Sequence, residues 1–206
     1  MQIEEQVQGI DLVLNTNEEV FSPTAVDKGT RAMLSFVEFE ENDKVLDLGC
    51  GCGVVGILAA KQIGANNVVM CDVSENAVQL SKQNATANGV EGVTIRQSDG
   101  LKEISETGFT MILSNPPYHT DFAVAKGFIE DGFKKLAIGG KMVMVTKRLD
   151  WYRNKLSSVF GGVTVKEKDG YYVFLAEKRG NRKPKKEKKN EQIMSKKLQR
   201  KYAKKA

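Results

Sequence analysis

Lys44-Val45-Leu46-Asp47-Leu48-Gly49-Cys50-Gly51-Cys52-Gly53 is the stretch on which the fold turns. A short apolar run that ends in an aspartate and leaves through alternating glycines reads as a strand turning sharply into a helix. The glycines let the backbone pass close to a ligand where any Cβ would collide. Gly51, Gly53 and Gly56 also satisfy G-x-G-x-x-G, so a nicotinamide-dependent oxidoreductase is the rival class. Asp47 and the extra Gly49 weigh the other way. A carboxylate at the strand end suits a cationic sulfonium ligand with a free ammonium group and sits poorly beside a pyrophosphate dianion. The expected cofactor is therefore S-adenosyl-L-methionine, held by Asp47, Gly49, Cys50, Gly51 and Gly53.

Outward from this loop, short apolar runs alternate with longer amphipathic ones. Strand-like runs fall at 44–48, 67–71, 93–97, 109–114, 141–146, 163–166 and 171–176. Helical patterns fall at 25–39, 54–63, 75–87, 122–136 and 151–159, with a short turn or helix at 101–105. This alternation gives a parallel sheet covered by helices on both faces. Asp169-Gly170 between the last two runs is a hairpin signal. The expected fold is α/β: a doubly wound, mostly parallel seven-stranded Rossmann-like sheet that ends in an antiparallel hairpin. Residues 1–24 read as a strand-rich lead-in, 25–177 as the catalytic domain and 178–206 as a basic tail.

Two more carboxylates fall at strand ends. Asp72 closes the second run, where a carboxylate can accept both ribose hydroxyls of an adenosine, with Val73 beside it. Asp99 follows the third, placed to meet an adenine amino group, with Ser98 and Gly100 as neighbours. As a favoured cap and turn residue, aspartate at either position also has a purely structural reading.

Ser114-Asn115-Pro116-Pro117-Tyr118-His119 ends the fourth run and indicates the chemistry. Two consecutive prolines continue neither a ladder nor a helix interior, so they fix an irregular backbone whose carbonyls need partners. An amino group supplies one. The side-chain oxygen of Asn115 and the carbonyl of Pro116 can accept its two hydrogens, drawing them out of the conjugated plane and turning the lone pair toward a methyl group. Tyr118 can stack on the ring that carries the amine. Orientation and charge stabilisation carry such a transfer, with no general base. The expected catalytic set is Asn115, Pro116, Pro117 and Tyr118, with Asn115 also touching the cofactor. His119 is open between substrate contact and a supporting role, and Trp151 and Tyr152 between helix-face packing and a base platform.

Composition bounds the rest. A chain of 206 residues, 41% hydrophobic, buries one full core. Its net charge of +5 hides a division: residues 178–206 hold 14 Lys or Arg against 2 Glu, while the remainder holds 17 against 24 acids. A basic tail on an acidic body points to a polyanionic partner held by the tail; a passive solvated end is the alternative. Cys50, Cys52 and Cys71 are too few and wrongly spaced for zinc and make a poor disulfide framework. No metal is expected. The start of the chain is acidic and no apolar run reaches the ~20 residues that span a bilayer, so a soluble, cytoplasmic protein without membrane contact, monomeric or weakly oligomeric, is expected.

Asp47 to Gly53, Asp72, Asp99 and Asn115 to Tyr118 resemble the successive motifs of class I S-adenosylmethionine-dependent methyltransferases that act on amino or amide nitrogens. Phe21-Ser22 and Val26-Asp27-Lys28-Gly29-Thr30, together with His119 after the proline pair, are similar to the bacterial ribosomal RNA guanine N2 methyltransferases of the small-domain type. The resemblance runs from about Gly9 to Lys178. It implies that Gly29 and Thr30 approach the cofactor and that the substrate is RNA, of ribosomal origin, reached through the basic tail and the cleft near Asn115. The aromatic of that family's motif is usually Phe or Trp. Tyr118 is the form more common in adenine N6 and protein glutamine methyltransferases, which are the alternative targets. Such ribosomal enzymes generally carry a second, N-terminal copy of the fold that helps to hold RNA, a task in which the basic tail is expected to substitute here.

Overall fold

The computed structural model describes residues 1–16, 25–117 and 122–180. The run that precedes the glycine loop forms β3 (Val45–Leu48), buried along its whole length. Burial on both faces is the mark of a central parallel strand. Its neighbours are β4 (Val68–Asp72) and β6 (Phe109–Ser114), both parallel to it. Outside β4 lies β5 (Thr94–Gln97), and outside β6 lies β7 (Leu136–Thr146). The sheet closes with β9 (Tyr171–Glu177), antiparallel to β7, and β8 (Thr164–Lys168) on the far edge. The order β5-β4-β3-β6-β7-β9-β8 is the doubly wound arrangement expected from the sequence. The chain winds outward from β3 and then returns to its other side. The crevice at the carboxyl ends of β3 and β6 is therefore the topological switch point, where ligands bind in open α/β sheets.

Alternate residues of each strand supply two cores. Leu46, Leu48, Met142, Met144 and Phe174 pack beneath α4 (Phe122–Lys135) and α5 (Leu149–Phe160). Val45, Met70, Leu113, Val143 and Val145 pack beneath α1 (Lys28–Leu34), α2 (Val54–Ile63) and α3 (Glu75–Ala87). Each fully buried Leu contributes about 1.5–3 kcal/mol. α2 lies close on the sheet because Gly56 has no side chain: a Cβ there would stand 2.5 Å from Met70 Cγ.

The lead-in is a separate two-stranded hairpin, β1 (Gln2–Val7) and β2 (Ile10–Asn15), turning through Gln8 and Gly9, both at positive φ. Leu12 and Leu14 enter the core beside α2 and α3. The outer backbone of β2 meets side-chain amides instead of a strand. Asn88 exchanges bonds of 3.1 and 2.7 Å with Val13, and Asn84 accepts from Asn15 N–H at 2.6 Å and donates to Asn15 O at 3.0 Å. Asn84 Nδ2 also donates to Cys52 O at 2.8 Å, which ties the hairpin to the glycine loop.

Several element bounds differ from expectation, β8 among them, which runs from Thr164 to Lys168 instead of 163–166. α1 occupies only the middle of 25–39, capped by Asp27 at its start and ending at Ser35. The apolar pattern beyond it is satisfied without a helix, since Val37 is buried in the turn that follows. β7 begins at Leu136, not 141; it carries a bulge opposite β6, and Gly139 is at φ +83°. Residues 101–103 form a turn only, and α5 begins two residues earlier than 151. No helix among the described residues is long and apolar enough to cross a membrane.

Candidate active site

A cavity of about 480 Å³ opens over the carboxyl ends of β3, β4 and β6. The turn after β3 is held by the end of β4: the N–H groups of Gly49 and Cys50 both donate to Cys71 O, at 2.9 and 3.0 Å. Gly51 N–H donates to Asp72 Oδ2 at 3.0 Å, and Ser81 Oγ donates to Gly51 O at 2.7 Å. Gly51 lies at φ +56° and lines the cavity, with nothing within 4 Å of where its Cβ would stand. A side chain there would be strained and would project into otherwise open space. Asp72 accepts a second backbone bond, Ser74 N–H to Oδ1 at 2.9 Å, so its carboxylate is fixed by two peptide groups.

Asp47 sits beneath this turn, 3% exposed, and accepts from Gly56 N–H at 2.9 Å. Burial pushes its carboxyl up to about 7; the Gly56 bond partly offsets this and the nearby Asp72 adds to it. Asp27, Asp47, Asp72 and Asp99 all line the cavity, and no Lys, Arg or His is among the described lining residues. Four carboxylates without a cation make a poor seat for a pyrophosphate and a good one for a ligand carrying sulfonium and ammonium charge. S-adenosylmethionine fits this donor set.

Across the cavity, Asn115 ends β6. Its Nδ2 donates to Asp27 Oδ2 at 2.8 Å and to Thr30 Oγ1 at 3.0 Å. The same Asp27 oxygen caps α1 by accepting Thr30 N–H at 2.9 Å. Asp27 Oδ2 accepts from both Thr30 N–H and the Asn115 amide nitrogen, so the Asn115 oxygen faces the other way. Pro116 and Pro117 follow, and Val124 and Phe128 of α4 complete this wall. Phe128 lies between the two glycine turns, 3.8 Å from a Cβ built at Gly49 and 3.6 Å from one at Gly100.

Thirteen of the residues expected at the site line this one cavity: Thr30, Asp47, Gly49, Cys50, Gly51, Asp72, Val73, Ser98, Asp99, Gly100, Asn115, Pro116 and Pro117. Gly29 and Gly53 do not. Gly29 is buried in the first turn of α1. Gly53 starts α2 at φ +91°, where a Cβ would stand 2.8 Å from Met70 Cε, so its smallness serves the packing of helix on sheet. Ser98 is turned inward, donating to Gly100 O at 2.9 Å and accepting Glu103 N–H at 3.1 Å; it shapes the turn. Tyr118 and His119, with Phe21 and Ser22, lie outside the described residues. Burial raises the thiols of Cys50, Cys52 (to about 11) and Cys71 (to about 12), so all three stay protonated near neutral pH. Sequence reasoning missed Asp27 as an anchor, Ile3, Leu14 and Thr16 of the lead-in, and Phe128. Only Asp27 carried a signal, as the N-cap residue three before Thr30.

The methyltransferase small domain family matches residues 11–176. The chain belongs to that family. It is 36% identical over 166 residues to ribosomal RNA small subunit methyltransferase C of Cronobacter sakazakii, covering 79% of this chain and 48% of that protein. It is 34% identical over 174 residues to YbxB of Bacillus subtilis, covering 82% and 87% respectively. Among solved structures, a T. thermophilus 16S rRNA N2 methyltransferase in complex with AdoMet and guanosine superimposes with a TM-score of 0.80 at 24% identity, over 87% of this chain and 50% of that one. The chain thus spans about half the length of the ribosomal RNA methyltransferases it matches. Membership of the family places the glycine turn among methyltransferase loops and sets aside the oxidoreductase reading of G-x-G-x-x-G.

Proposed function

We propose that the chain is an S-adenosylmethionine-dependent N-methyltransferase that acts in the cytoplasm on the exocyclic amine of a base in RNA, guanine N2 of ribosomal RNA being the target. The observation that carries this reading is the Asn115 amide, locked by Asp27 and Thr30 on the wall of the same acidic cavity that the glycine turn lines. With its nitrogen engaged, Asn115 presents an acceptor to an incoming amine. Pro116 O, on the backbone fixed by the proline pair, is the second acceptor. Two acceptors draw the amine hydrogens from the ring plane and localise the nitrogen lone pair, so that attack is in line with the methyl group. Bound in this cavity, the cofactor would supply that methyl from a sulfonium, which the transfer would leave as a neutral thioether. The carboxylates around the cavity and the Asn115 dipole stabilise the positive charge that develops on nitrogen, and the surplus proton then passes to solvent.

The names of the relatives support RNA, and ribosomal RNA in particular, as the substrate. The tail from residue 178, with 14 basic residues against 2 acidic, is suited to hold such a polyanion without sequence preference. The deciding experiment is mass spectrometry of nucleosides from total RNA of cells with and without the gene. Loss of N2-methylguanosine supports the reading, loss of N6-methyladenosine moves the target to adenine, and no change in any methylated nucleoside removes RNA as the substrate.

A further inference from the structure

On the assumption that the substrate is RNA, we propose that Lys147 and Arg148 form a two-sided phosphate clamp that grips the RNA backbone on either side of the target nucleotide. These residues follow the last residue of β7, at the same carboxyl edge as Asn115 and one strand away from it. Their ring contacts place the two side chains on opposite faces of the sheet. Lys147 Nζ lies 4.9 Å from the centroid of Tyr171, in the core beneath α1. Arg148 Cζ lies 4.9 Å from the centroid of Phe122, on the side of α4 and α5. Phe122 is itself fixed by stacking on Trp151, with centroids 4.4 Å apart and planes at 18°. Trp151 is thus a packing residue whose partner carries a cation.

Both cations are exposed, and among the described residues neither pairs with a carboxylate, whereas Arg31, Arg96 and Lys155 do. This is notable in a body that carries more acids than bases. The cofactor cavity does not use them, since no basic residue is among its described lining residues. Held on ring faces, the two side chains have given up part of their freedom before any ligand arrives, so less is lost on binding an anion. A base extruded toward Asn115 leaves a backbone phosphate on each side of its sugar, which is the arrangement that two cations straddling the sheet edge would meet.

The test uses the full-length protein and a structured ribosomal RNA fragment, with binding measured across a salt series for wild type, Lys147→Gln, Arg148→Gln, the double variant and Arg148→Lys. Each Gln substitution should flatten the slope of log affinity against log salt by about 0.7–0.9, raise KM for RNA several-fold, and leave cofactor affinity and melting temperature unchanged. Arg148→Lys should keep the wild-type slope. Wild-type slopes in the double variant would overturn the clamp, as would an Arg148→Lys variant as impaired as Arg148→Gln, since the role would then be packing on Phe122. A wild-type protein that neither binds nor methylates RNA would instead overturn the RNA reading on which the clamp rests.

Discussion

The two walls of the cavity are built differently. The cofactor wall is local: Gly51 is tied to a carboxylate 21 residues away, and the turn is shaped by glycines at adjacent strand ends. The amine wall is long-range: Asn115 takes its orientation from Asp27, 88 residues earlier, and from Thr30, 85 residues earlier. The first wall is a backbone device and survives as a pattern of residue types. The second is a side-chain device that exists only once α1 has packed on β7 and β9, which brings Asp27 and Thr30 to the residue after β6. Substitutions on the two walls should therefore separate binding from chemistry.

The sharpest separation is expected at Asn115. Asn115→Ala removes an acceptor whose hold on the amine strengthens as charge develops, so turnover should fall by about 10²–10³-fold. Cofactor affinity by calorimetry should stay within about twofold. Wild-type turnover in this variant would end the amine-methylation reading. On the opposite wall, Asp72→Ala should weaken cofactor binding by about 1.5–3 kcal/mol through the loss of charge-assisted bonds to ribose. Asp72 also holds the N–H groups of Gly51 and Ser74, so Asp72→Asn, which keeps one acceptor, should recover part of that loss. Turnover at saturating cofactor should remain near wild type. A turnover defect larger than the binding defect would mean that the walls are not separable.

Asp27 is the positioning residue on the amine wall, and Ser isolates that role. Serine caps a helix about as well as aspartate, so Asp27→Ser should leave the melting temperature within a few degrees. Its short hydroxyl can cap α1 but cannot also anchor Asn115. Turnover should drop by roughly tenfold, the value of one charged hydrogen bond. Because Asp27 acts through Asn115, the double variant with Asn115→Ala should be no slower than Asn115→Ala alone. Additive losses would mean that Asp27 matters for some other reason.

What could be read in advance follows the same divide. The sheet, its terminal hairpin and the glycine turn rest on periodicity and on residues such as Asp169-Gly170, whose positive φ values appear as the turn requires. The cavity residues contributed by strand ends were legible for the same reason. Asp27 stood out only as part of the segment Val26 to Thr30, since nothing in a linear pattern says that it bonds to Asn115. Ile3 and Leu14 read as ordinary strand residues because their place at the cavity depends on how Asn84 and Asn88 dock the hairpin. Gly53 lies outside the cavity lining although its spacing fits the loop, because a tight turn and a close helix–strand contact demand the same residue.

The smallest effect expected is a pH slope, and it concerns what lies beneath the cofactor wall. The Asp47 carboxyl is held near 7 in the ligand-free protein, chiefly by burial, against an ordinary value of 3.8. Its folded-state value is raised, so its contribution to stability is fully present below pH 3.8 and is lost as pH rises through about 7. A cationic ligand reverses the preference, because positive charge nearby favours the carboxylate. Cofactor binding below pH 7 should therefore release a proton, and affinity should climb by at most about tenfold per pH unit from pH 5 before levelling above 7. Asp47→Asn keeps an acceptor for Gly56 N–H but cannot ionise. It should abolish both the proton release and the slope, bind cofactor several-fold more weakly at pH 8, and leave the ligand-free protein more stable there. Calorimetry in two buffers of different ionisation enthalpy measures the proton count directly. A wild-type count of zero at pH 6 would show that Asp47 is already ionised before the cofactor arrives, and that the wall depends on its glycines and Asp72 alone.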